Sequence, residues 1–507
     1  MGKSLTASGF ALLLTMCAAS VSAADSRVAD AVKQRDSKSL KTLISQRVDV
    51  NAPQPDGGTA LHWAVYWNDL EAVDLLIRAG ANVNASNDLG VTPLFLASEA
   101  GQAGAVSRLL AAGASSNVVR ETGESPLMAA ARSGNLAVVR ALLARGADPN
   151  ARETTHDQTA LMWAAANRHA EIVEALVEAG GNLEARSRVR TGRTYLPADR
   201  NGSGNTPEEH ARFSRYIDEG GYTPLLFAAQ HGDAASVKRL LAAGANVNVQ
   251  APSGMSALVL AAHNDHTEAV DALIAGGADV ESSAAGYTAL HAAVLRGNVD
   301  IVSALLEHRA NPNATISQAT GARRYSQDWS FGDDLVGATP YYLAARFAEI
   351  PIMKVLAARG ANTRFAMPDG STAVMAAMDT ALTRSGELEG FGTDRRGRYV
   401  FARLLTVQSP EEAQKDVLEI VKLAVASGAD VNAAVLTGDT AMHKAVAKGL
   451  PSVIEFLAAS GANVNAVNKK GQTPLAVAQA TRRRLGGDVV ATNKAVTDLL
   501  QSLGGHQ

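Results

Sequence analysis

The sequence predicts an all-α solenoid of about twelve helix–turn–helix repeats, with hairpin-like fingers and three insertions. Three observations carry this reading. Thr or Ser recurs at Ser26, Thr59, Thr92, Ser125, Thr159, Thr223, Ser256, Thr288, Thr339, Thr372, Thr440 and Thr473, and the commonest step between them is 33 residues. Five residues after every one of these anchors stands Ala, from Ala31 and Ala64 through to Ala445 and Ala478. Most units also close on a tail such as Gly80-Ala81-Asn82-Val83-Asn84. A fixed period of this length marks stacked supersecondary units, each unable to bury its apolar face without a neighbour.

Each position in the unit has a physical task. The anchor hydroxyl suits a helix N-cap, accepting from a free N–H of the first turn. Pro93, Pro126, Pro224, Pro340 and Pro474 follow their anchors directly, where the missing N–H costs nothing. The Ala lets neighbouring helices approach closely. Gly101, Gly134, Gly232, Gly297 and Gly449 stand nine after the anchor and suit a left-handed C-cap of the first helix. A second helix follows, as in Leu70 to Ala79, and Gly80, Gly113, Gly146, Gly180, Gly244, Gly277, Gly360, Gly428 or Gly461 stops it.

This pattern closely resembles the ankyrin repeat family over roughly residues 26 to 504, as in an exported bacterial ankyrin-repeat protein. Thr223-Pro224-Leu225, Ala228-Ala229, Gly232, Leu240-Leu241 and Gly244-Ala245-Asn246-Val247-Asn248 stand at the family's spacing. Arg309 stands where a stop Gly is usual, Gly181 where Ala is usual, and Tyr341 and Val374 where Leu is usual. The resemblance implies a non-enzymatic scaffold that binds a partner protein through its concave groove and fingers.

The chain in order begins with an export signal. Lys3, an apolar run from Phe10 to Ala19, and Val21-Ser22-Ala23 form a tripartite leader, with cleavage expected after Ala23 or Ala24. Residues 1–23 therefore read as a signal peptide and 24–507 as the solenoid, located in the periplasm or secreted. Cys17 is the only cysteine and lies inside the leader; Met16 stands where a lipidation site takes a small residue. A mature chain without thiols has no disulfide and no cysteine-based metal site.

Ser26 to Asn51 is a polar first repeat, carrying Lys33, Gln34, Arg35, Lys38 and Lys41 as an N-terminal cap should. Four regular repeats follow. The first insertion, about 187–219, is basic, with Arg188, Arg190, Arg193 and Arg200, and reads as a flexible turn at Gly202, Gly204 and Asn205. No strand is expected before Gly202-Ser203-Gly204 and no Gly-Lys-Ser/Thr follows, so a phosphate loop is not supported. The second insertion, about 316–336, carries Trp329-Ser330-Phe331 and Asp333-Asp334. Both fall in fingers and should emerge along one edge. The third, about 383–413, separates the two helices of the Thr372 repeat and should emerge at the opposite end. Ser409-Pro410-Glu411-Glu412 then reads as a capping box ahead of Val417 to Ala426.

The charge balance excludes some classes of function. A formal net charge of −3 gives no basic face for nucleic acid. No apolar run reaches the length of a spanning helix. His62, His291 and His443 follow their anchors by three, and His169 and His266 by ten; in the family these positions pack and hydrogen-bond between repeats. Asp333-Asp334 reads as a solvated pair rather than a metal site. No Gly-x-Ser-x-Gly, His-Glu-x-x-His or paired-Cys motif occurs. The expectation is a monomer with no enzymatic activity, no cofactor and no metal, binding one or more proteins. The alternative is an enzyme or small-ligand-binding protein whose site the insertions build against the groove.

The groove expectation rests on helix geometry. Residues four and eight after each anchor share a helix face clear of the buried positions two and five. Trp63, Trp67, Leu96, Trp163, Phe227, Leu260, Leu343 and Phe347 stand there, with Trp329 in a finger insertion beside them. The set takes in all four tryptophans of the chain, and large aromatics are enriched at binding hot spots. The competing expectation is packing, because Leu at position four is ordinary in the family and lies partly on the next helix.

Overall fold

The computed structural model describes residues 25–195, 214–319, 331, 333–384, 410–480, 482–483, 489–490 and 494–506. Within them 24 helices form twelve pairs, one pair for each anchor. The first helix of each pair starts just after its anchor: Ala60–Tyr66 after Thr59, Pro93–Glu99 after Thr92, Pro340–Arg346 after Thr339. The anchors cap as expected at Thr92, Ser125, Thr159, Thr223, Ser256, Thr339 and Thr473, each hydroxyl accepting from the N–H three residues on. Ser26 differs, its hydroxyl donating to Asp30 at 3.0 Å, the Thr372 hydroxyl is buried without a partner among the described residues, and the Thr59 and Thr440 hydroxyls face the Nδ1 of His62 and His443.

The repeated Ala is buried in every repeat, at 0% exposure in most of them. One apolar core runs the whole length, from Val28 to Leu500. The two unusual residues at the Leu position are buried as Leu would be, Tyr341 at 1% and Val374 at 0%.

In most repeats a left-handed turn stands nine residues after the anchor, whether or not glycine is there. Gly134 and Gly297 adopt φ of 82° and 67°; Arg35, Asn68, Arg168, Asp265 and Ala348 adopt 60°, 51°, 63°, 65° and 60°. The non-glycine residues carry strain of about 1–2 kcal/mol each, so packing against the neighbouring repeats imposes the turn. Arg309 behaves likewise as a second-helix stop, with φ of 68°.

A ladder of side chains joins the repeats along the finger bases. Asn51 Nδ2 donates to the Gly80 carbonyl at 3.1 Å, and its Oδ1 accepts from Asn82 N–H at 2.6 Å. Asn84, Asn117 and Asn150 repeat the bridge. The ladder crosses the insertions: Glu184 accepts from Asn246 N–H at 2.9 Å, and Asn313 bridges to Gly360 and Asn362 at 3.2 and 2.6 Å. At the far end Asn465 reaches Gly504 and His506, so Lys494–Ser502 is the second helix of the last repeat.

The described ends of the first insertion are strands, and the flexible turn expected at Gly202, Gly204 and Asn205 lies outside the described residues. Val189–Tyr195 and Ser214–Gly220 form an antiparallel ladder, with Val189 opposite Gly220 and Tyr195 opposite Ser214. A strand therefore does precede Gly202, contrary to expectation; Gly202-Ser203-Gly204 and Arg200 lie outside the described residues. Arginines fix the base of this arm. Arg188 pairs with Asp157 at 3.1 Å, Arg190 donates to the Thr155 carbonyl, and Arg186 donates to the carbonyls of Gly221 and Gln250. The third insertion separates Ala373–Arg384 from Pro410–Ala426, as expected, though the second of these helices begins well before Val417. Ser409, Trp329 and the leader with Cys17 lie outside the described residues.

Candidate functional site

The histidines three after the anchor bind repeat to repeat. His62 Nδ1 accepts from Thr59 N–H at 3.1 Å, and a backbone N–H can only donate. That fixes the tautomer: Nε2–H donates, to the Val91 carbonyl of the next finger at 2.9 Å. His291 holds Thr288 and the Ala314 carbonyl in the same way, at 3.2 and 3.1 Å, and His443 holds Thr440 and Gln472. Burial pushes the His62 imidazole below its ordinary value and the His291 imidazole down to about 4. His169 and His266 bond the Arg132 and Gln230 carbonyls of the preceding repeat at 3.2 and 3.1 Å. These rings are structural links. Among the described residues no three His, Cys, Asp or Glu side chains converge as metal ligands.

The expected groove residues divide into three groups. Trp63 and Trp163 are half-buried in the face, and Trp67 is 39% exposed. Leu96, Phe227 and Phe347 are also half-buried; Leu96 packs on Val91, Phe95 and Ala129, and Phe227 meets Tyr222 edge-on at 5.6 Å. Leu260 and Leu343 were expected in the groove surface and do not belong there, being 3% and 0% exposed. The physical reason is packing between neighbouring inner helices, both side chains belonging to the continuous buried core. Tyr287 reaches over to His263, Phe331 packs on Tyr287 and His291 at 4.9 and 6.5 Å, and Leu335 is buried nearby. The second insertion thus adds Phe331 and Leu335 to the buried core.

The aromatic surface is concentrated at the N-terminal end of the groove. Tyr66, seven after its anchor, is 59% exposed and stands edge-on between Trp63 and Trp67, at 5.6 and 4.8 Å. The sequence reading passed over Tyr66 because it followed positions four and eight only. Position seven is one turn from position four on the same helix and was available to it. Trp63 Nε1–H donates to Gln54 at 2.7 Å and Trp67 Nε1–H to the Lys33 carbonyl at 3.2 Å, so both indoles are held in place. Cations cover the ring faces. Lys33 Nζ lies 4.6 Å from the Trp63 centroid and Arg35 lies 5.6 Å from that of Trp67. The arrangement recurs at the third tryptophan, where Arg132 lies 4.9 Å from Trp163.

Toward the C-terminal end the groove opens into a cleft of about 580 Å³ between inner helices and fingers. Lys444 there pairs with Asp379 at 2.8 Å, and Tyr342, Ser371 and Asp369 form a hydrogen-bonded chain of 3.2 and 2.6 Å.

The profile of the family described as ankyrin repeats (3 copies) matches residues 28–120, 100–187, 210–316 and 412–487, most of the chain. The chain is an ankyrin-repeat protein. No curated protein matches it at a significant level. Ankyrin repeats generally mediate protein–protein interaction, and the family is typically non-enzymatic. In this ankyrin-repeat protein no helix among the described residues is long and apolar enough to cross a membrane.

Proposed function

We propose that this protein is an exported, non-enzymatic scaffold, a monomer in its free state, that binds a partner protein through the N-terminal part of its concave groove. The observation that carries the reading is the exposed Tyr66–Trp67 pair standing on the anchored Trp63. A held aromatic surface binds at low entropic cost, because its rotamers are already fixed. Most other groove-facing apolar residues are half-buried or covered by the chain itself.

The test uses the double variant Tyr66→Ala with Trp67→Ala in capture of the partner from the envelope fraction. Capture should fall more than tenfold, as for a hot spot worth over about 1.4 kcal/mol. The folding cost should stay near 1 kcal/mol, since the hydrogen bond lost, that of Trp67 to the Lys33 carbonyl, is exposed. A variant that melts far earlier while its folded fraction binds normally would return these residues to mere packing.

Export rests on the leader composition. Cleavage after Ala23 or Ala24 would leave the first helix, Arg27–Lys33, whole. N-terminal sequencing of the mature protein should begin at Ala24 or Asp25; a chain beginning at Met1 or Gly2 would refute export.

A further inference from the structure

The groove reading leaves the chemistry of the partner open, and the charges around the aromatic surface narrow it. Lys33 and Arg35 are exposed, and each lies over a tryptophan face. The ion pairs of this end, Arg27 with Asp25 and Lys41 with Glu71, involve neither of them. Asp30, Asp36 and Asp56 accept from neutral donors, Ser26 and Gln54, Ser39 N–H, and Gly58 N–H, and keep their charge. Along the groove the next charged pair, Glu99 with Arg132, neutralises itself at 2.5 Å. The N-terminal end of the groove therefore carries two exposed cations, held in no ion pair among the described residues, directly over the rings of its aromatic surface.

We infer that the site takes a linear acidic polypeptide segment, in which carboxylates alternate with aromatic or branched aliphatic side chains. The inference rests on the groove reading above. The apolar side chains would cover Tyr66 and the free face of Trp67, and the carboxylates would meet Lys33 and Arg35. Charge complementarity of this kind sets specificity and association rate more than raw affinity. A single-stranded nucleic acid also uses cations and aromatic rings. It needs a positively charged groove that tracks its backbone, whereas here the positive charge ends at the neutral Glu99–Arg132 pair and the chain carries a net −3.

The test selects random displayed dodecapeptides on the full mature protein. Winners are then measured against Lys33→Glu with Arg35→Glu, and against Tyr66→Ala with Trp67→Ala. Lys33 and Arg35 are both exposed, so the charge reversal should fold; circular dichroism confirms it before binding is read. The expected winners are acidic and apolar, bind in a salt-sensitive way, and lose about tenfold or more to either variant. Winners that need Tyr66 and Trp67 but ignore the charge reversal would overturn this inference and leave the groove reading standing. Failure to enrich any peptide, or winners indifferent to both variants, would overturn it as well, as would tight binding of an oligothymidine probe lost on charge reversal. Light scattering on the unmodified protein supplies the last arm: a dimer that the Tyr66 and Trp67 changes dissolve would make a second copy the occupant.

Discussion

Replacing His291 with Ala should cost about 3–4 kcal/mol and divide the melt into two transitions. The ring is fully buried and makes three contacts at once: Nδ1 with Thr288 N–H and Oγ1 at 3.2 and 2.8 Å, and Nε2–H with the Ala314 carbonyl at 3.1 Å. Removing it strands a buried donor and a buried acceptor, each worth about 1–3 kcal/mol when left unmade, and opens a cavity under Phe331. In a solenoid the stability is a sum of repeat and nearest-neighbour terms. A weakened link between the Thr288 and Thr339 repeats therefore uncouples the two halves instead of lowering one common midpoint. The same ring gives a pH dependence with a definite sign. A proton on Nδ1 would face Thr288 N–H, which cannot accept it, and burial holds the folded imidazole down to about 4 against an unfolded value near 6.5. Between those values the unfolded chain takes up a proton that the folded chain refuses, so stability falls as pH drops from about 6.5 toward about 4. The loss from this group approaches about 3 kcal/mol. Thermal melts from pH 7 to pH 4.5 should show this decline, and the alanine variant should show less of it. An unchanged slope in the variant would mean that His291 is not the group responsible.

Gly134→Val should destabilise by about 3 kcal/mol. The backbone there has φ of 82°, which a β-branched residue resists at a cost of about 1–2 kcal/mol. A Cβ on Gly134 would also come within 2.7 Å of the His169 ring from the next repeat, adding an overpacking cost of about 1–3 kcal/mol. The two causes separate in a double-mutant cycle of Gly134→Ala with His169→Ala. Removing the imidazole should recover the steric part and leave the backbone part. Strictly additive losses in denaturant melts would show that no clash exists.

The repeats were legible because their signals are local and recur in register: a capping hydroxyl, an Ala, a stop glycine. Where one signal fails, the neighbours enforce the geometry. Arg35 and Ala348 hold left-handed turns that nothing in their own side chains announces. The Asn ladder escaped the reading because its bonds link residues about 30 apart, and the sequence alone gives each Asn only its immediate neighbours. The arm of the first insertion was missed for a similar reason. Gly192 breaks the strand pattern of Val189–Tyr195, and its pairing partner lies more than twenty residues further on. At the groove, the aromatic positions of the Thr59 and Thr159 repeats were legible from offset alone. The burial of Leu260 and Leu343 was not, because an offset within one repeat does not say how closely the neighbouring inner helices pack over it.

The central claim is that one uninterrupted stack runs from the first repeat to the last, with the insertions hung on it. Small-angle scattering of the mature protein tests this most directly. Twelve repeats at a helix spacing of about 10 Å give a body on the order of 110 Å long, with a radius of gyration above roughly 30 Å. A compact globule of the same chain length would have a radius near 23 Å. A measured radius of about 30 Å or more, with a maximum dimension above about 100 Å, is the predicted result. A radius near 23 Å and a near-spherical distance distribution would contradict the continuous solenoid.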